Sequence, residues 1–189
     1  MVKARNLRNG GMVAIGGAVL LLGACSGGGG TATPLSNATA PCPRIAILAD
    51  AADLTRFRPG GGQDLTAMEL NASLSGFQAK CDYAPRQAGL DVTLTPNFNA
   101  ERGPAAQGRT AEIPYMVAVV DNGNHILSRA TYTMQVEFPS NVSRTKNEGE
   151  ELSIRIPGQP QAAAAQKRIL LGFVLSPEEL ALNRQRGPR

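Results

Sequence analysis

The sequence predicts an all-β fold, with two antiparallel sheets packed face to face as a sandwich. Three observations carry that expectation. Apolar residues recur at every second position in several separate stretches, the period of a half-buried strand. Turn signals rich in glycine, proline and asparagine stand between the stretches, and no run of helical period alternates with them. Two of the stretches are joined by Asp121-Asn122-Gly123-Asn124, a hairpin turn in which Asn-Gly readily adopts positive φ.

Taken in order, Arg44-Ile45-Ala46-Ile47-Leu48-Ala49 is a short apolar run and forms the first strand. Residues 50–64 include Arg58-Pro59 and Gly60-Gly61-Gly62. They read as a long loop with room for one helical turn around 51–54, pinned to the core by Phe57. In the next strand Met68, Leu70, Ala72 and Leu74 are apolar on even positions, whereas Phe77, Ala79, Cys81 and Tyr83 are apolar on odd ones. A period of two changes phase only by absorbing an extra residue. A β-bulge is therefore expected at Ser75-Gly76, where glycine tolerates unusual backbone angles. An antiparallel partner running from Cys42 would start beside the far end of this strand, near Cys81.

Leu90, Val92, Leu94 and Phe98 alternate with Asp91, Thr93, Thr95 and Asn97, and Pro96 suggests an edge strand there. Ile113, Tyr115, Val117 and Val119 are backed by Met116, Ala118 and Val120 on the other face, as suits an inner strand. Across the Asn-Gly turn, Ile126, Ser128, Ala130, Tyr132, Met134, Val136 and Phe138 face inward, with Arg129, Thr131, Thr133, Gln135 and Glu137 outward. Leu152, Ile154 and Ile156 make a further strand, residues 158–166 a loop or weak helix, and Ile169, Leu171, Phe173 and Leu175 the last strand. Ser176-Pro177-Glu178-Glu179 is a capping box with proline at the first helical position. It opens a short helix through Leu180 and Leu182 that clamps the sandwich edge. About seven strands with turns between them define an immunoglobulin-like antiparallel β-sandwich with a short C-terminal helix. The chain has no tryptophan, so the architecture comes without membership in the antibody family.

The N-terminus reads differently. Lys3, Arg5 and Arg8 precede an apolar run from Met12 to Leu22, followed by Gly23-Ala24-Cys25. The run is shorter than the roughly 20 residues that a spanning helix needs. A basic head, a short apolar core and a small-residue exit describe a removable export signal. The alternatives are an uncleaved anchor or an ordinary secretory signal. Leu22-Gly23-Ala24-Cys25 resembles the lipobox of bacterial lipoproteins, which implies that Cys25 becomes the lipidated first residue of the mature chain. Several acyl chains hold a protein stably where one holds it marginally. In that family Asp after the cysteine favours inner-membrane retention; Ser26 stands there, which leans toward the outer membrane, facing the periplasm. The lipobox, the tether and the Cys-Pro-Arg before an apolar strand are also similar to uncharacterised envelope lipoproteins of alphaproteobacteria. The expected organisation is a signal peptide over 1–24, a flexible Gly/Ser/Thr/Pro tether over 25–41, a sandwich over 42–183 and a basic tail over 184–189.

Charge narrows the partners. The whole chain carries +4, but Lys3, Arg5 and Arg8 leave with the signal, and the mature chain sits near neutrality. No nucleic-acid partner is expected; Arg184, Arg186 and Arg189 read as a solvated tail. With Cys25 assigned to lipid, Cys42 and Cys81 remain in an oxidising compartment, where a structural disulfide is expected. A metal or redox pair is the alternative, though no further ligand stands at metal spacing and no Cys-x-x-Cys occurs.

Catalytic sets are hard to assemble. His125 is the only histidine and follows the Asn-Gly turn, where a solvated role suits it better than that of a base. No Gly-x-Ser-x-Gly elbow accompanies it. A soft copper site from His125, Met116 and Met134 is conceivable, but alternation assigns both methionines to packing. Asp50, Asp53 and Asp64 lack calcium-loop spacing, and the glycines at 27–30 and 60–62 lack a phosphate-loop frame. Asn37, Asn71 and Asn141 begin Asn-x-Ser/Thr sequons, which lose their meaning in a bacterium. The expectation is therefore a noncatalytic, membrane-anchored binding or structural module without cofactor or metal, held through lipid on Cys25 and meeting an envelope protein partner. The alternative is an envelope enzyme or substrate-binding lipoprotein acting on cell-wall or small-molecule ligands.

Overall fold

The computed structural model describes residues 40–158 and 164–187; residues 1–39, including Cys25, Ser26 and most of the tether, lie outside them. The described strands are β1 (Arg44–Ile47), β2 (Asp53–Phe57), β3 (Met68–Tyr83), β4 (Gly89–Arg102), β5 (Thr110–Val120), β6 (Ile126–Glu137), β7 (Arg144–Glu148), β8 (Leu152–Pro157) and β9 (Arg168–Phe173). One sheet has the order β1-β9-β5-β6; the other runs β2-β3-β4, with β7 and β8 both on the far side of β4. The result is an all-β sandwich with a short C-terminal helix, α1 (Pro177–Arg186).

Both sheets turn their alternating apolar residues inward. Phe98 from β4 meets Tyr115 from β5 edge-on, with ring centres 5.1 Å apart, and lies 6.0 Å from Phe173 of β9. Leu54, Leu90, Leu94, Ile113, Ile156, Ile169 and Leu171 fill the space around these rings and are fully buried. β5 lies between β9 and β6, the inner position expected from its two apolar faces. The hairpin of β5 and β6 keeps an unbroken register from Thr110↔Glu137 to Val119↔Ser128.

The phase change in β3 is a bulge. Leu74 pairs with Phe98 and Gly76 with Asn97, leaving Ser75 as the extra residue. Pro96, by contrast, does not mark an edge. β4 is an inner strand, paired with β3 on one side and with β7 and β8 on the other. β7 and β8 follow each other along β4, and their register slips between Asn97↔Glu148 and Leu94↔Leu152. Pro96 stands opposite that slip, where Gly149 donates its backbone N–H to the Pro96 carbonyl. The missing proline donor thus falls where the partner strand is already interrupted.

Two strands exceed the seven expected. β2 replaces part of the long loop foreseen over 50–64, and β7 is wholly polar. β1 also pairs otherwise than expected: it runs parallel to β9, in the opposite sheet from β3. β2 already occupies the edge of β3 from Met68 to Ser73. Pro41 and Pro43 flank Cys42 and remove two donors that an antiparallel ladder beside Cys81 would need. One backbone bond remains there, from Ala40 N to the Cys81 carbonyl.

α1 begins as the capping box indicates. The Ser176 hydroxyl accepts from the Glu179 backbone N–H, and the Glu179 carboxylate accepts from the Ser176 N–H. The helix continues beyond Leu182 through Arg186, so the first residues of the expected basic tail are helical and docked. Arg184 Nε lies 3.0 Å from Asp50 Oδ2, and Arg186 donates to Thr55 Oγ1 at 3.0 Å. Asn183 Nδ2 reaches the carbonyls of Asp50 and Asp53 at 2.9 and 2.7 Å. The helix therefore lies against the outer edge of β2.

Candidate functional site

Cys42 and Cys81 are bonded to each other, with Cα atoms 5.4 Å apart. Because Cys42 leads into β1 and Cys81 belongs to β3, the bridge ties one sheet to the other. It fastens the start of the first strand without the strand pairing expected beside it.

The remaining candidates stay apart. The His125 ring lies at the hairpin tip, its Nδ1 3.0 Å from Asp121 Oδ2 and its side chain 80% exposed. Met134 is buried opposite Ile113, and Met116 stands opposite Thr131 on the other face. Seven register positions separate Met134 from the tip, about 24 Å at strand spacing. Asp50 pairs with Arg184, while Asp64 caps the 3-10 turn over Leu65–Ala67 by accepting from the N–H groups of Thr66 and Ala67. The Thr66 hydroxyl, foremost, and those two N–H groups hold the Asp64 carboxyl below its ordinary range. Burial pushes the Tyr115 phenol up to about 12, with the charge of Glu150 adding to it.

A surface unforeseen in the sequence lies on the outer face of the β2-β3-β4-β7 sheet. Register places Thr55, Asn71, Glu101 and Arg144 in one cross-strand row and Asp53, Ser73, Asn99 and Lys146 in the next. Thr55 donates its hydroxyl to Asn71 Oδ1 at 3.1 Å, and Arg144 Nη2 donates to Glu101 Oε1 at 3.0 Å. A depression of about 430 Å³ lies over Asn71, Ser73, Asn99, Glu101, Arg144 and Lys146. A second, of about 480 Å³, shares Asn71, Glu101 and Arg144 and continues past Thr55, Phe57, Asp64 and Arg186. Together they make one open groove across the strands.

Its chemistry is that of polar recognition. Asparagine amides both donate and accept, the hydroxyls do likewise, and the Lys146 ammonium offers up to three donors. Groups about 4.8 Å apart across strands and about 7 Å apart along them suit an extended, hydrogen-bonding ligand. Little in the residue pattern announces this surface, because the groove's far wall is β7, Arg-Thr-Lys-Asn-Glu, without one apolar residue. The available signal was the run of Asn, Ser and Thr on the outward phases of β3 and β4.

Fold and site together define an all-β sandwich with an inter-sheet disulfide and an open polar groove on one outer face. No protein-family model, curated protein or solved structure matches the chain.

Proposed function

We propose that the chain is a lipoprotein of the cell envelope, exported, anchored through lipid on Cys25 and probing the periplasm with a noncatalytic binding domain. The observation that carries this reading is the Cys42–Cys81 disulfide. It pairs the two cysteines other than that of the lipobox and belongs to an oxidising compartment. The leader Leu22-Gly23-Ala24-Cys25 supports the same address. Metabolic labelling with an alkyne fatty acid tests it: the wild-type chain should take up label and partition with membranes, and Cys25→Ser should do neither. An unlabelled wild-type chain overturns the anchor.

The groove favours a more specific form of the alternative reading, a substrate-binding lipoprotein for cell-wall polymer. Its amides, hydroxyls and Lys146 match a glycan or peptide strand better than an apolar partner. Joint replacement Asn71→Ala and Asn99→Ala should weaken binding to purified cell-wall fragments about thirtyfold, two lost hydrogen bonds being worth roughly 1 kcal/mol each. Equal binding by the variant removes this form of the reading.

A further inference from the structure

We propose that β6 is a dimerisation edge, pairing antiparallel with β6 of a second copy about a twofold axis through Thr133. An open strand edge is a template for another chain, and proteins usually blunt such edges with proline, bulges, brevity or a covering element. Three of the four edge strands here are blunted, and the part of β3 beyond β2 is bulged at Ser75 and pinned at Cys81 by the disulfide and the Ala40 N–H. β2 is overlain by α1; β1 has four residues and follows Pro43; β7 and β8 are broken opposite Pro96. β6 is the fourth. It ends its sheet, has twelve residues, contains no proline, and keeps regular register from Ser128 to Glu137.

The strand's own backbone fixes which residues would pair. Phe138 donates its N–H to the Arg109 carbonyl on the β5 side. In an antiparallel ladder the groups alternate sides, so the even residues bond to β5 and Arg129, Thr131, Thr133, Gln135 and Glu137 point their N–H and C=O outward. Pro139, next in that phase, lacks a donor and ends the usable edge. The outward segment is thus 129–137, with Thr133 at its centre.

Charge then selects the register and the partner. Centred on Thr133, a second copy sets Arg129 against its partner's Glu137 and Glu137 against its partner's Arg129. Thr131 meets Gln135, and Thr133 meets itself. Among the described residues, neither Arg129 nor Glu137 forms an ion pair within its own chain, and both are exposed. On the inner face Tyr132 would meet Met134 and Ala130 would meet Val136. Such self-complementarity is what a twofold interface requires. A foreign strand would need the same charges in the same order.

The test uses the full chain in non-ionic detergent. Sedimentation should show a dimer, and Glu137→Arg or Arg129→Glu should weaken it about tenfold or more, by replacing two attractive pairs with two repulsive ones. The combined swap, Arg129→Glu with Glu137→Arg, should restore the dimer, and circular dichroism should show all three variants folded. Under mild oxidation Thr133→Cys should crosslink to a homodimer, whereas Ser153→Cys on β8 and the parent chain should not. A monomeric wild-type chain overturns the proposal. So does a dimer indifferent to the single charge reversals, or one that the combined swap fails to rescue.

Discussion

The bond between Cys42 and Cys81 closes 39 residues of chain and joins the two sheets. On the chain-entropy account, opening it should lower stability by about 2–4 kcal/mol. Denaturant midpoints with and without reductant, or for Cys42→Ala with Cys81→Ala, measure the loss; an unchanged midpoint contradicts the account. This pair was legible in the sequence because the expected lipidation of Cys25 sets that cysteine apart from the count. The strand pairing built upon it was not, because one bridged pair is compatible with either sheet receiving the first strand. At the hairpin tip, Asp121 accepts from the backbone N–H groups of Gly123 and His125 and from the His125 ring. Foremost the His125 N–H, then the His125 side chain, hold the Asp121 carboxyl below its usual value. A depressed acid adds stability above its unfolded-state pKa, and that contribution disappears as pH falls through the folded value. An NMR titration should therefore place Asp121 below about 3.9. His125→Ala should raise the midpoint only part of the way, because the backbone donors remain. A midpoint at the ordinary value refutes the turn geometry.

Two glycines show how an element's backbone sets the cost of a substitution. Gly76 lies in the β3 bulge with φ of 155°, and an added Cβ would meet nothing within 4 Å. Gly89 opens β4 with φ of 129°, and a Cβ there would lie 2.1 Å from the Ile156 carbonyl oxygen. Gly76→Ala should therefore cost about 1 kcal/mol, for backbone strain alone. Gly89→Ala should cost about 3 kcal/mol or more, because β8 must also move. Urea unfolding of both variants checks the ranking, and equal losses would contradict it. The bulge was readable from a phase change in apolar residues, since burial on one face leaves a strand no other way to change register. β7 was unreadable for the converse reason. Its Thr145 and Asn147 take the inward phase opposite Ala100 and Phe98, so no apolar alternation announces it. Pro96 misled because proline marks a missing ladder bond, and an interrupted partner satisfies that condition as well as an edge does. The groove inherits this blindness, since one of its walls is β7.

At the scale of the whole molecule, the last residues hold down some of the first. Asn183 is buried, and its amide satisfies carbonyls on either side of the step into β2, at Asp50 and Asp53. Arg56 of β2 reaches toward Glu179 at the start of α1, with 3.6 Å between Nε and Oε1. The capping box made the helix legible; nothing in its residues said which edge it would cover, because such a choice rests on contacts more than a hundred residues apart. A chain ending at Leu175 would leave β2 with its five residues paired only to β3. That variant should keep the sandwich yet lose protection in β2 first. Hydrogen exchange should show the amides of Leu54–Phe57 opening much faster than those of β4, which retains partners on both sides. The two carbonyls released from Asn183 return to water, so the loss should be local rather than global. If β2 exchanges as slowly without the helix as with it, α1 is not what closes that edge, and β2 must be held by β3 and the core alone.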